Sequence, residues 1–137
     1  MIGSVRAEER PLFFASEIRI QTAQGRHSFS IEVAASEPAR TLGLQGRRYL
    51  APDTGMLFDF ERSRRLTMWM KNTFIPLDMI FIDARGYIVH IAEWTVPFSL
   101  ETISAPVPAR AVLEVKGGTA ERLGIAPGDR VEHAIFK

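Results

Sequence analysis

Short runs in which apolar and polar residues alternate constrain the fold of this chain more than any other feature of its sequence. Ile18 and Ile20 alternate with polar residues, and the run from Phe29 to Val33 does the same after a turn at residues 23–26. A period of two places the apolar side chains on one face of a strand. These runs therefore predict a β-hairpin with one buried face.

Strand-like runs continue to the end of the chain, separated by turns rich in Gly, Pro and Asp. A charged link at residues 61–65 separates two of them, which are predicted to be antiparallel neighbours. The pair before and after the turn at residues 83–86 is predicted to be central in the sheet. The runs are Gly55 to Phe60, Leu66 to Met70, Leu77 to Ile82, Tyr87 to Ala92, Ala111 to Lys116 and Arg130 to Phe136.

Two short helices are predicted between these strands. Ser36 is a good N-cap for the first, which Gly46 can end, and Thr119 can cap a single helical turn that ends at Gly124. The prediction is an α+β, mainly β fold: a curled or barrel-like, mostly antiparallel sheet of seven to eight strands with two short helices. Residues 1–12 are predicted to be a flexible arm, and residues 13–137 a single globular domain.

Composition excludes several classes of function. Charged residues make up 24% of the 137 residues and nearly cancel to a net charge of +1, so nucleic acid is not an expected partner. The absence of cysteine excludes disulfides, thiolate metal sites and a cysteine nucleophile. No apolar run approaches the roughly 20 residues that span a bilayer, so no membrane span is expected. A periplasmic or exported location with the signal removed, a cytoplasmic location and any oligomeric state all stay open.

Metal and cofactor signatures are also missing from the sequence. His27, His90 and His133 lie far apart, with no pair at the spacing of metal ligands, so no metal site is predicted. Gly117 and Gly118 precede a helical turn, but neither a P-loop nor a GxGxxG spacing follows them. A turn with positive φ accounts for these glycines, and no cofactor is predicted.

Four sequence blocks in succession carry a family resemblance. They are GLQGRRYL, GMLFDF, WMKNTFIPLDMIFID and VLEVKGGTAERLGIAPGD. In their order and spacing the chain resembles, from about Phe29 to its C-terminus, the bacterial and archaeal family of domain of unknown function 192. Gln45 departs from the pattern, since the family usually has methionine there. The resemblance implies a compact, mostly β domain, often found in exported or membrane-tethered proteins, without an established activity.

Polar residues embedded in the apolar blocks form the predicted ligand-binding site. A buried, isolated charge costs several kcal/mol, so Asp78 and Glu114 are expected either to face a concave surface or to pair with a cation. Trp69 would supply a flat apolar wall for a small polar ligand such as a sugar or carboxylate. The predicted site comprises Arg47, Trp69, Lys71, Asn72, Asp78 and Glu114.

Three functions fit this pattern. The leading hypothesis is a non-enzymatic, small-molecule-binding or accessory domain whose ligand is a carbohydrate or another small polar compound, with no catalytic residues assigned. A carboxylate-dependent hydrolase would use Asp78 and Glu114 as an acid and base pair. A protein-interaction module would use the proline-rich loop from Pro97 to Pro108. The same charged residues could equally form an internal salt-bridge network that only stabilises the fold.

Overall fold

A computed structural model describes residues 11–136, so the predicted N-terminal arm lies outside the described residues apart from its last two positions. Within this range, two short helices, α1 (Glu37–Leu42) and α2 (Thr119–Leu123), accompany nine strands. The strands are β1 (Phe14–Thr22), β2 (Gly25–Ala34), β3 (Thr54–Arg64), β4 (Thr67–Met68), β5 (Leu77–Ile82), β6 (Ile88–Ala92), β7 (Ile103–Ser104), β8 (Ala109–Lys116) and β9 (Arg130–Glu132).

Seven strands form one sheet in the order β6-β5-β8-β3-β2-β1-β9, and β4 pairs with β7 in a second, small sheet. All neighbours are antiparallel except β2 and β3. Backbone hydrogen bonds between residues 86–88 and residues 128–131 bring the two edges of the large sheet together. These bonds protect the edges where they meet, and the predicted mainly β, curled fold is confirmed.

The large sheet is buried on both faces at its centre. One face, lined by Ile18, Leu57 and Val115 among others, forms the interior of the curl. The other face, which includes Met56 and Met79, packs against α1 and the small sheet. Every residue of β5 is buried, which explains why that strand is apolar on both faces rather than alternating.

Three predictions about the strands were wrong, concerning the extent of one strand, the neighbour of another and the position of a third in the sheet. The charged link at residues 61–65 is mostly strand, because β3 continues to Arg64. The run at residues 66–70 does not neighbour β3, since β3 lies between β2 and β8. β6 is an edge strand and not a central one. Alternation fixes which face of a strand is buried, but it does not identify the strand's neighbours.

The helix ends also differ from the prediction. Ser36 caps α1 as predicted, and its hydroxyl accepts the Ala39 N–H at 3.2 Å. The helix ends at Leu42, four residues before Gly46, because Gly43 with φ of 50° is its C-cap. Thr119 does not cap α2, since its hydroxyl donates to the Lys116 carbonyl at 2.6 Å and the N-cap position is Gly118.

Gly55 gives a test of the strand packing. A Cβ at this position would clash with the Glu114 carbonyl oxygen and would lie 3.0 Å from Val115 Cγ1. Gly55→Ala should therefore lower the free energy of unfolding by about 1–3 kcal/mol, measured by urea denaturation. Ser28→Ala, at an exposed position of β2, is the control and should have little effect. Equal stability of the Gly55 variant and the wild type would contradict the close approach of β3 and β8.

Candidate functional site

The six predicted site residues do not form one cluster, because the large sheet separates Asp78 from Glu114 and because Arg47 and Asn72 do not line the cavity that holds the other three. Asp78 lies opposite Val115, and Met79 lies opposite Glu114, in the pairing of β5 with β8. Directly paired residues share a face and successive residues alternate. The side chains of Asp78 and Glu114 therefore project from opposite faces, and the acid and base pair of the hydrolase hypothesis is not assembled.

Asp78 is completely buried and its carboxylate accepts three backbone hydrogen bonds. One oxygen accepts the N–H groups of Trp94 at 2.9 Å and Gly118 at 3.3 Å, and the other accepts the N–H of Ala120 at 2.9 Å. Gly118 provides no side-chain cap for α2. The Asp78 carboxylate thus caps α2 from a distant strand. The positive N-terminal end of the helix dipole favours its negative charge.

Trp94 completes this structural cluster, and the sequence analysis did not identify it. A Cβ on Gly117 would lie 2.9 Å from the Trp94 ring, and one on Gly118 would lie 2.7 Å from it. The two glycines therefore allow the indole to lie against the backbone before α2, in addition to the positive φ of 92° at Gly118. Asp78 and Trp94 together join β5, the loop after β6 and α2.

Arg47 pairs with Glu32 on β2 through both guanidinium nitrogens, one of them at 3.2 Å. Arg47 is therefore not the cation partner of Asp78 or Glu114. Asn72 has a positive φ of 53°, and its carbonyl accepts the Gly46 N–H at 2.9 Å. Arg47 and Asn72 hold the loop after α1 against its neighbours.

The remaining three predicted residues share a cavity of about 310 Å³ on the outer face of the sheet. Glu114 of β8 forms part of its wall, and Trp69 and Lys71 lie beyond β4. α1 and β3 also line this cavity, and no sequence pattern predicts that either element lies beside Glu114. The other residues that line it include Arg40, Leu44, Phe58, Phe60, Arg64 and Met68.

Glu114 is only 4% exposed. Its carboxyl forms no hydrogen bond or ion pair within residues 11–136, and burial alone raises its pKa to about 8. Of the two arrangements expected for this acid, Glu114 has the first, since it faces a concave surface and has no cation partner in that range. Protonation avoids the large cost of an unpaired buried charge, so Glu114 is neutral near pH 7.

Three cations line the same cavity. The Arg40 guanidinium donates to the carbonyls of Ala35 and Asp59, both at 2.9 Å. Arg64 lies 5.3 Å from the centre of the Phe60 ring. Lys71 Nζ lies 5.2 Å from the Trp69 ring, and that indole is 44% exposed. The lining thus combines cations, aromatic surface and one neutral carboxyl group.

A serine and histidine pair outside this cavity does not form a nucleophilic site. Ser16 Oγ lies 2.9 Å from His133 Nε2, while His133 Nδ1 accepts the Ile135 N–H at 3.2 Å. Burial lowers the pKa of His133 more than the nearby Asp59 charge raises it, which favours a neutral ring. Its proton is then on Nε2, which donates to Ser16 and cannot accept the serine proton.

Neither a metal site nor a membrane helix is evident in the described part of the chain. No group of three or more His, Asp or Glu side chains between residues 11 and 136 is placed to hold a metal ion. No helix in that range is long and apolar enough to cross a membrane.

Comparison with known proteins identifies one family. The family model DUF192, described as "Uncharacterized ACR", matches residues 19–133. No curated protein matches the chain.

Two solved structures are similar along most of their length. A protein from Sinorhizobium meliloti, named as a candidate transcription regulator, is 46% identical with a TM-score of 0.85, and the match covers 88% of this chain and 94% of that one. A protein of unknown function from Novosphingobium aromaticivorans is 39% identical with a TM-score of 0.85, over 87% of this chain and 85% of that one.

Removing the Asp78 carboxylate should destabilise the fold. Asp78→Ala leaves three backbone N–H groups without their acceptor, so the free energy of unfolding should fall by about 3 kcal/mol in urea denaturation. Asp78→Asn keeps one acceptor oxygen and should cost less. Glu101→Ala is a control that should cost less than either, because Glu101 is exposed and its side chain forms no hydrogen bond within residues 11–136. Unchanged stability of Asp78→Ala would contradict the capping role.

Glu114 should make stability fall as pH rises. Its pKa is about 8 when folded and near 4.5 when unfolded, so the unfolded state releases this proton first. Between these values the group lowers stability by about 1.4 kcal/mol per pH unit, and above pH 8 the loss is complete.

Glu114→Gln removes this titration. The variant should therefore gain stability relative to the wild type from pH 5 to pH 8, measured by urea denaturation at each pH. Parallel pH profiles of the two proteins would show that Glu114 is ionised in the folded state.

Proposed function

The chain belongs to the DUF192 family of uncharacterised proteins, and we propose that it is a non-enzymatic domain that binds a small polar ligand in the cavity beside Glu114. The observation that carries this proposal is the position of Glu114 at the wall of a cavity large enough for a ligand. The residue is 4% exposed and its carboxyl has no hydrogen-bond or ion-pair partner in the described chain, but its oxygens are not among the fully enclosed polar atoms without a partner, where only His27 Nε2 is found in that part of the chain. A carboxyl group that faces a cavity without a protein partner is available to a ligand.

A neutral carboxyl group can donate one hydrogen bond and accept others. A ligand hydroxyl offers the same two capacities, so a single hydroxyl group could satisfy both sides of Glu114. A sheet residue is also a rigid support, because β8 is hydrogen-bonded to β3 and β5 on its two sides. Glu114 would therefore hold a ligand hydroxyl in a fixed position.

Trp69 provides the second element of the proposed site. Its indole is partly exposed at the cavity, and a flat aromatic face suits the apolar face of a sugar ring. A volume of about 310 Å³ is at the lower end of the range of roughly 300–1,000 Å³ for ligand sites. A ligand of monosaccharide size therefore fits the proposal best.

The loop that follows β6 supports a second candidate function, which is binding to a partner protein. Exposed apolar side chains are concentrated there, and a contiguous apolar surface often marks a protein contact. They are Trp94, Val96, Phe98 and Leu100, and Val107 is exposed in the next loop, between β7 and β8. This surface overlaps the loop from Pro97 to Pro108 of the interaction hypothesis. A Val96→Ser and Leu100→Ser double variant that captures the same proteins as the wild type in pull-downs would contradict a contact there.

The cavity proposal is tested by titrating the protein with a panel of monosaccharides, sugar acids and small carboxylates, using calorimetry. At least one compound should bind, and Trp69→Ala and Glu114→Leu should each weaken it tenfold or more. Tyr49→Ala changes an exposed aromatic residue outside the cavity and should bind like the wild type.

Two results would contradict the proposal. One is that no compound in the panel binds. The other is binding that Trp69→Ala and Glu114→Leu leave unchanged while circular dichroism shows both variants folded.

A further inference from the structure

The charges around the cavity narrow the ligand class. We infer that the ligand is a small hydroxylated organic acid, with its carboxylate at the exposed edge beside Lys71 and Arg64 and a hydroxyl group at Glu114. A sugar acid of monosaccharide size is the simplest compound of this kind. This ligand class rests on the proposed function, because it concerns the same cavity.

The exposed edge of the cavity favours an anion. Neither Arg64 nor Lys71 forms an ion pair in the part of the chain that the structure describes, where five other basic residues do. Both lie against aromatic rings instead, Arg64 by Phe60 and Lys71 by Trp69. A ligand carboxylate could therefore bind these cations without displacing a protein carboxylate.

The inner part of the cavity favours an uncharged group. Leu44, Phe58 and Met68 line it and are buried, so a ligand charge placed among them would lose its hydration without full compensation. Glu114 is the polar group that these residues surround. The ligand is thus expected to present a hydroxyl inward and its charge outward.

The titratable groups around the cavity predict how binding depends on pH. Glu37 and Arg40 of α1, Arg64 of β3 and Lys71 line it together with Glu114. Asp78 is on the other face of the sheet. Burial raises the pKa of Glu114 to about 8, so its ionisation above that pH removes the inner donor and brings a negative charge near the ligand.

The experiment compares matched ligands by calorimetry at pH 6.5 and low salt. D-glucuronate should bind at least tenfold more tightly than D-glucose, and D-galacturonate at least tenfold more tightly than D-galactose. Arg64→Met and Lys71→Met keep the apolar stems of the side chains and should each weaken the acids several-fold while leaving neutral sugars unchanged. Arg62→Met is the control, since Arg62 is exposed on β3 and does not line the cavity.

A pH series distinguishes the ligand's contact with Glu114 from its contacts with Arg64 and Lys71. Affinity for the acids should fall about tenfold from pH 6.5 to pH 9 in the wild type as Glu114 ionises. Glu114→Gln keeps a donor and an acceptor and should bind with little change over the same range. A pH-independent wild type would overturn the hydroxyl contact at Glu114.

The remaining outcomes are distinct. Equal binding of acids and neutral sugars would overturn the acid class and leave the proposed function standing. Tight binding of D-glucose 6-phosphate without binding of either uronate would overturn the carboxylate in favour of a phosphate. Failure of the neutral sugars, the uronates and the phosphate to bind would overturn both the ligand class and the proposed function.

Discussion

One buried carboxylate organises an end of this protein. Asp78 accepts N–H groups from the loop after β6 and from both sides of the start of α2, so three segments distant in sequence meet at a single side chain. A five-residue helix has too few internal hydrogen bonds to be stable alone. Its position therefore depends on the strand that supplies its cap. The Trp94 indole, packed on Gly117 and Gly118, covers the same junction.

Glu114 is buried in a different way from Asp78. Asp78 has three donors for its charge, whereas Glu114 has no partner in the region described and remains neutral because of its raised pKa. The two acids are on adjacent strands, one residue apart in register, yet they face different surroundings. One stabilises the fold, while the other lowers stability as pH rises. In the proposed function, this loss of stability accompanies a polar group that the cavity presents to a ligand.

Much of the fold follows from local sequence rules, but its assembly does not. Alternation at Ile18, Ile20 and Phe29 to Val33 predicts the first hairpin, and Ser36 predicts the start of α1. No local pattern indicates that β8 lies between β3 and β5, since strand order depends on contacts between distant segments. For the same reason Asp78 and Glu114 could be identified as unusual but not placed on opposite faces. Arg47 could not be assigned to Glu32, because several acids were equally available in sequence.

The fold holds some parts of the cavity more firmly than others. Glu114 is on a strand whose neighbours on both sides fix its backbone, while Trp69 and Lys71 follow a two-residue strand at the surface. Substitutions at the edge can therefore accumulate without disturbing the hydrogen bonds of the sheet, whereas the position of Glu114 cannot shift without them. In the proposed binding role, such a fold can change its ligand through residues at the edge while Glu114 stays in place as the anchoring group.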